Sequence, residues 1–445
     1  MKKIILSALI TGVSCLQLSA QEPWSLKQCI DYATEHNINV RQQILKQKNQ
    51  ELEVNTTKWS RLPNLGAGAG QNFYFGRGPG RDGTYRDQSQ SSSSLDISTS
   101  VSLFNGLRTW NQLNARKFDL EAAIEDLNKA KEDLALNITA YYLQVLFNKE
   151  LRQIAEDQVQ LTTSQLQKTE VLVKSGKTPE SELYESRANL AKEEVNLTDA
   201  DNALKLSLLD LSQLLNLDSL ENFDIQTPDI ETLALTDALK LMNPEEVFTQ
   251  SVENRPAVRA AQQRLQSSLQ ELKVSKAAFY PSLSLSASYS NSFFHTYNLD
   301  EGQSNTSFSE QVKQNGSETV GLKLSIPIFN RLATRNQVRA SRIEIESREL
   351  VLEETRQTLF KEIQQAFYNA VAAHDKFRSS RKSVEASQLA LQYEEQKYNA
   401  GKSTVFQFNE VKTRLAKSMS DLAQAKYDFV FRSRILDFYK GLPLY

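Results

Sequence analysis

The chain has 445 residues, of which 24% are charged and 40% hydrophobic, with 52 basic against 54 acidic side chains. That balance, with a mean hydropathy of −0.48, argues against a nucleic-acid partner and against a bundle of membrane-spanning helices. By length about three compact domains would fit, but Gly (15) and Pro (10) are scarce and fall mostly where a helix must stop.

Lys2 and Lys3 precede an apolar run from Ile4 to about Val13 and a small, polar stretch ending at Ala20. Residues 1–20 thus have the layout of a secretory signal peptide. Cys15, after Gly12-Val13-Ser14, is the alternative end point, as an acylated lipid anchor. Cleavage after Ala20 removes two lysines and leaves 50 basic residues against 54 acidic ones. Cys29 is then the one remaining cysteine, so no internal disulfide forms.

Ser25 is an N-cap ahead of an amphipathic run carrying Leu26, Cys29, Ile30 and Ala33. The helical pattern continues to Arg61 and stops at Pro63. The period then changes to two. Leu65, Ala67, Ala69, Gln71, Phe73 and Phe75 alternate with Gly66, Gly68, Gly70, Asn72 and Tyr74. Leu95, Ile97, Thr99, Val101 and Leu103 alternate with Asp96, Ser98, Ser100 and Ser102. The Gly- and Ser-rich segment between them, residues 76–94, reads as a loop in a strand–loop–strand unit.

Residues 107–175 contain no Gly or Pro, which predicts a helix about 100 Å long at 1.5 Å per residue. It ends at Gly176, a C-cap in the turn Lys174-Ser-Gly-Lys177, and Pro179 opens the next helix. Leu183, Leu190, Leu197, Leu204 and Leu211 there recur every seventh position, the repeat of a packed helix seam. The short turn makes the pair an antiparallel hairpin. Residues 228–245 read as a connector, with a short helix near Thr236–Met242.

After the connector the design begins again. Glu35–Val40 matches Glu253–Val258 at a shift of 218, which also carries Pro63 to Pro281. Phe104-Asn105 matches Phe329-Asn330 at a shift of 225, as Gly176-Lys177 matches Gly401-Lys402. That shift maps the heptad leucines onto Phe408, Leu415, Leu422, Phe429 and Leu436. The chain therefore divides into a first repeat (21–227), the connector and a second repeat (246–445). Each repeat has a helix, two strands, a long helix and a further helix.

In the second repeat Leu283, Leu285, Ala287 and Tyr289 alternate with serines, and Val320, Leu322, Leu324 and Ile326 form the return strand. Four strands of about ten residues have the length of tilted outer-membrane strands. Four cannot close a barrel and open edges are not tolerated in lipid, so several copies must close it; three would give twelve strands.

These features resemble the TolC-type outer-membrane efflux proteins. The resemblance covers essentially the whole chain after the leader. It rests on WSLKQCIDYATEHN (24–37), YPSLSLSAS (280–288), IPIFN (326–330), KYNAGKST (397–404) and the duplication. It implies a mainly α fold whose long antiparallel coiled-coil helices form a periplasmic α-barrel. It also implies a homotrimer sharing a twelve-stranded β-barrel in outer-membrane lipid, a periplasmic adaptor (membrane fusion) protein and an inner-membrane pump of RND or ABC type. The implied role is the exit duct of a tripartite efflux or secretion system.

At the periplasmic aperture the resemblance points to Tyr398, Lys402, Gln407 and Glu410, with Gln407 and Glu410 where the family often has two aspartates. Ser403 stands where the family has an arginine. The hairpin tips, Lys174, Gly176 and Lys177 with Gly401 and Ser403, would dock the adaptor. His36, His295 and His374 are scattered and no nucleophile motif occurs, so neither a metal, a cofactor nor an enzyme activity is expected. The competing class is an exported coiled-coil structural or adhesion protein without a channel, which has no use for strands of lipid length.

Overall fold

A computed structural model describes residues 23–79, 83–217, 223–228, 243–299 and 302–444. The leader with Cys15, most of the connector and the helix expected near Thr236–Met242 lie outside the described residues.

Helix α1 (Leu26–His36) starts at a reciprocal capping box: Gln28 N–H reaches the Ser25 hydroxyl at 3.3 Å, and Ser25 N–H reaches the Gln28 side chain at 2.8 Å. The single helix expected up to Arg61 is broken at Asn37, where ψ is 131°. Asn37 Oδ1 instead accepts the N–H groups of Asn39 (2.9 Å) and Val40 (3.4 Å) and opens α2, Ile38–Trp59. An asparagine serves a helix better at its start than in its interior.

Four strands form one antiparallel sheet in chain order: β1 (Asn64–Pro79), β2 (Tyr85–Phe104), β3 (Ser282–Thr296) and β4 (Ser317–Ser325). Only β4 has the expected ten-residue scale. The loop expected over 76–94 is mostly strand. Ser91, for example, pairs with Phe73 on one side and His295 on the other. The main-chain groups of the serine run are satisfied from both neighbours, so its polar side chains do not oppose a ladder.

β4 stops after nine residues while β3 runs on for six more. Side-chain amides complete that edge of β3. Gln311 accepts the Phe294 N–H at 2.8 Å and donates to its carbonyl at 2.9 Å, and Asn305 treats Thr296 alike at 2.9 Å and 2.9 Å. Gln311 comes from a helix of about two turns, Phe308–Gln314, in the segment joining β3 to β4.

The remaining helices are α3 (Arg108–Lys174), α4 (Glu180–Leu215), α5 (Pro244–Ser251), α6 (Pro256–Ala277), the short α7 just named, α8 (Ala333–Asn399) and α9 (Val405–Tyr439). Helices α3 and α8 have 67 residues each. Pro179 proves to be the N-cap of α4, one residue outside the expected first helical position. Both strand-to-helix corners hold two successive left-handed residues, Gly106-Leu107 and Arg331-Leu332. At each corner an asparagine amide bonds a threonine four residues on, Asn105 to Thr109 and Asn330 to Thr334.

Packing divides the chain into two units that cut across the sequence halves. The strand-bearing unit comprises Gln43–Lys129 and Glu253–Thr358. Its helices are joined by Arg259–Glu125 (2.7 Å), by Arg264–Asp126 and by a Ser275–Ser341 hydrogen bond of 2.8 Å. The helical unit comprises, among the described residues, 23–42, 130–217, 223–228, 243–252 and 359–444. Its core includes Ile138, Leu146, Leu211, Leu215 and Ile363, all fully buried. Of the heptad positions, Leu211, Phe408, Leu415, Phe429 and Leu436 are buried, whereas Leu183, Leu190, Leu197, Leu204 and Leu422 are half-buried.

Candidate functional site

Two places carry chemistry beyond packing: the sheet and the two hairpin tips. The sheet separates its faces by the strand period. Across the strands, Thr99, Ala287 and Val320 are in register, as are Val101, Leu285 and Leu322, giving an apolar face. Leu65, Val320 and Leu322 on it are 79%, 76% and 69% exposed. The opposite face has Gly66, Ser98, Ser288 and Thr319 in one row and Gly68, Asp96, Ser290 and Ser317 in the next. Gly68 makes room for Asp96, whose Oδ1 would lie 2.7 Å from any Cβ at position 68. Among the described residues no helix is long and apolar enough to cross a membrane.

Each tip closes with the same hydrogen bonds. Gly176, at φ 68°, donates to Val173 O (2.9 Å) and Lys177 to Leu172 O (3.0 Å). Gly401, also at φ 68°, donates to Tyr398 O (3.0 Å) and Lys402 to Lys397 O (2.9 Å). Both are Schellman caps, which the glycines make inexpensive. Lys174, Lys177 and Lys402 are exposed around them.

The second tip has a polar lock that spacing did not reveal. Ser403 Oγ donates to Glu394 and lies 3.1 Å from Gln407 Oε1, and Lys397 reaches Glu394 at 3.3 Å. The Ser403 bond, with Lys397 in support, holds the Glu394 carboxyl below its ordinary range. Gln407 also completes the capping box of Thr404 at the start of α9.

Tyr398 packs inward on its own chain. Its ring lies 5.3 Å from that of Phe408, with Lys168 Nζ 5.6 Å from its centroid. Burial raises its phenol, which sits beside Thr169 and Gln165 of α3. Lys168 also bonds Asn399, tying α3 to the end of α8. Glu410 is exposed and paired with Arg414 at 3.0 Å. Gln407 and Glu410 therefore share a helix face but not a network.

The other feature absent from the sequence reading is a buried charge. Lys412 is 3% exposed. Its ammonium bonds Thr162 of α3 and lies 3.3 Å from Glu193 of α4. Burial lowers the lysine from its ordinary value, while Glu193 opposes that shift. The available signal was register, since Lys412 falls between Phe408 and Leu415 on the buried stripe of α9. Among the described residues no group of three or more His, Cys, Asp or Glu could hold a metal ion.

The sequence model of outer membrane efflux proteins matches residues 29–217 and again 247–440. The chain is 25% identical over 359 residues to the cation efflux system protein CusC of Escherichia coli K12, covering 77% of this chain and 70% of that protein. It is 24% identical over 349 residues to the probable outer membrane lipoprotein SilC of Salmonella typhimurium, covering 76% and 68%. Its fold matches the crystal structure of CusC with a TM-score of 0.76 at 19% identity, over 94% of this chain and 92% of that one. It matches the open state of the MtrE outer membrane channel of Neisseria gonorrhoeae at 0.73 and 17%, over 94% and 89%.

Proposed function

The chain belongs to the outer membrane efflux protein family, and from that premise we propose how its residues build the channel. Three copies associate, each adding four strands to a shared twelve-stranded barrel. The carrying observation is the sheet, which has one exposed apolar face and two unpaired edge strands, β1 and β4. An open edge cannot persist in lipid, and four strands are too few to close. In the strand-bearing unit Leu45, Leu52 and Trp59 recur every seventh residue of α2 and are 59%, 62% and 59% exposed. Such a stripe fits a helix of another copy.

The apolar sheet face meets lipid, and the glycine- and serine-lined face with Asp96 meets water. Helices α3, α4, α8 and α9 continue the conduit into the periplasm. The duplication supports this layout through the two matched family segments, the equal lengths of α3 and α8 and the paired asparagine corners. Its halves are residues 21–227 and 246–445, joined by 228–245. The tips at Gly176 and Gly401, with Lys174, Lys177 and Ser403, meet a periplasmic adaptor serving an inner-membrane pump of RND or ABC type.

The resting aperture is held by Tyr398 as a tether to α3. Lys402, Gln407 and Glu410 present the polar surface, and three Glu410 carboxylates give a modest preference for cations. A rod without a channel gives no account of the apolar sheet face.

The direct test is planar-bilayer recording with the purified protein. Discrete conductance steps are expected, Tyr398→Ala raising resting conductance and Glu410→Gln lowering cation preference. A protein soluble without detergent that gives no conductance steps contradicts the reading.

A further inference from the structure

On the sheet's apolar face the rows climb from Phe104, Leu283 and Leu324, beside the strand-to-helix corners, to Leu95, Ala69 and Asn291. Above that level the strands continue and the face changes character. The next row is Gln71, Ser93 and Phe293, followed by Phe73, Ser91 and His295. Phe75 and Ser89 come next, with the Ser89 carbonyl accepting the Tyr297 N–H at 2.7 Å. Phe73, Phe75 and Tyr297 are 58%, 73% and 52% exposed. The serines of β2 thus lie in a furrow walled by rings of β1 on one side and of β3 on the other. Tyr297 leans over it, its hydroxyl donating to Ser91 at 3.4 Å. Strands two apart are separated by about 10 Å, which leaves room for one six-membered sugar ring between the walls.

Height separates this furrow from an ordinary aromatic belt. At about 3.4 Å per residue and a strand tilt of about 40°, the row of Phe73 lies about 10 Å above that of Leu95, and the row of Phe75 about 15 Å above it. A phospholipid headgroup layer is only about 5–7 Å deep on each side of the hydrocarbon, and belt aromatics sit within it. The furrow would therefore stand bare unless taller headgroups surround it. Among the described residues its three rows hold no Lys, Arg, Asp or Glu. The first charges above them, Arg77 and Asp87, are paired with each other at 3.6 Å. Nothing there attracts a phosphate.

We infer that this furrow binds the neutral sugars of an oligosaccharide-bearing glycolipid, in the membrane leaflet farther from the strand-to-helix corners. A pyranose has a face of C–H groups, which packs on an aromatic ring as other apolar surfaces do. Its rim of hydroxyls exchanges hydrogen bonds with serine, which both donates and accepts. Phe73, Phe75 and Tyr297 supply the rings, and Ser89 and Ser91 the hydroxyls, while Ser93 bonds Gln71. This rests on the lipid contact proposed above for the apolar face, with which the furrow is continuous along every strand that forms it. The acyl chains that cover Leu322 carry the sugars to the furrow.

The test measures binding of two purified lipids to the full-length protein immobilised in detergent: a rough-type lipopolysaccharide and lipid A, its anchor without the core sugars. Both carry acyl chains and phosphates, so their difference isolates the sugars. The native protein should bind the core-bearing lipid about tenfold more tightly. Phe73→Ser/Phe75→Ser/Tyr297→Ser should bring that ratio close to one. Phe294→Ser, at the same height on the opposite face, should leave it unchanged. Planar-bilayer conductance steps should persist in both variants. If the triple variant loses the steps, Phe75→Ser alone should lower the ratio about threefold with the steps intact. Equal binding of the two lipids by the native protein, or a preference that survives loss of the rings, overturns the sugar furrow while the channel stands. A native protein without conductance steps overturns both.

Discussion

The two helical hairpins, α3/α4 and α8/α9, solve one packing problem with different chemistry. In the α3/α4 hairpin the heptad leucines are mostly half-buried. Ion pairs assist them: Arg152–Asp201 at 2.6 Å and Arg187–Glu170 at 3.5 Å. In the α8/α9 hairpin the equivalent stripe is buried at every position but Leu422. Phe429 stacks on Phe377 at 5.9 Å with 9° between planes and also meets His374 at 5.4 Å. Near the tip, Ser418 bonds Ser383 and Ser387 at 3.3 Å and 3.2 Å. The first hairpin tolerates solvent along its seam, and the second depends on exclusion of water. At a shift of 225 residues the two seams keep one register, but the side chains that fill it differ.

That difference is broken most sharply at equivalent positions. Phe429→Ala should cost about 3–5 kcal/mol in thermal denaturation followed by circular dichroism, and Leu204→Ala, its counterpart, about 1–2 kcal/mol. Equal losses would mean that the two seams are buried alike in the assembled protein. Between the hairpins, Glu193→Gln should cost on the order of 3 kcal/mol, because Lys412 stays buried without a counter-charge. Adding Lys412→Met should recover most of that loss. Continued loss in the double variant would assign the effect to packing and remove the ion pair from the account.

The titration of Lys412 has a definite sign. Its folded pKa lies below the unfolded value, so the unfolded chain binds more protons between the two values and stability rises with pH across that window. Lys412→Met should abolish that rise in denaturation midpoints taken at alkaline pH. A rise that survives the substitution belongs to another group.

On the first seam, Arg152 and Asp201 are each more than a third exposed, so solvent screening limits Arg152→Ala to about 1 kcal/mol or less. The smallest effect is expected at the second tip. The folded pKa of Glu394 is lowered, so its contribution is complete above the unfolded value and lost as pH falls through the folded one. Amide protection at 401–407, taken relative to the intrinsic exchange rate at each pH, should fall on acidification in the native protein and change much less with pH in Ser403→Ala. An unchanged acid response in that variant would separate the tip from Glu394.

Much of this was legible in the sequence because it depends on period and punctuation. Gly176 and Gly401 close their helices as expected, and the strand alternation sorts Leu322 from Lys323. The failures have physical causes. Residues 76–94 look like a loop by composition, yet β1 and β3 satisfy their main chain from both sides. Asn37 interrupts a helix that periodicity continues, because its side chain is worth more as a cap. Gln311 and Asn305 complete a strand edge from a distance no local pattern encodes. At the tip, the family resemblance singled out Tyr398 but not its partners Lys168 and Phe408, which lie on other helices. Lys412 was hidden because a lysine on an apolar stripe reads as solvated until Glu193 is placed opposite.

The central claim, that a single copy supplies only part of the channel, is tested most directly by the mass of the detergent-solubilised particle. Light scattering with the detergent contribution subtracted should give three chains, each 50.4 kDa before any leader is removed. A monodisperse single chain that retains its four strands would contradict the account, because β1 and β4 would then stand in the membrane with nothing to pair against.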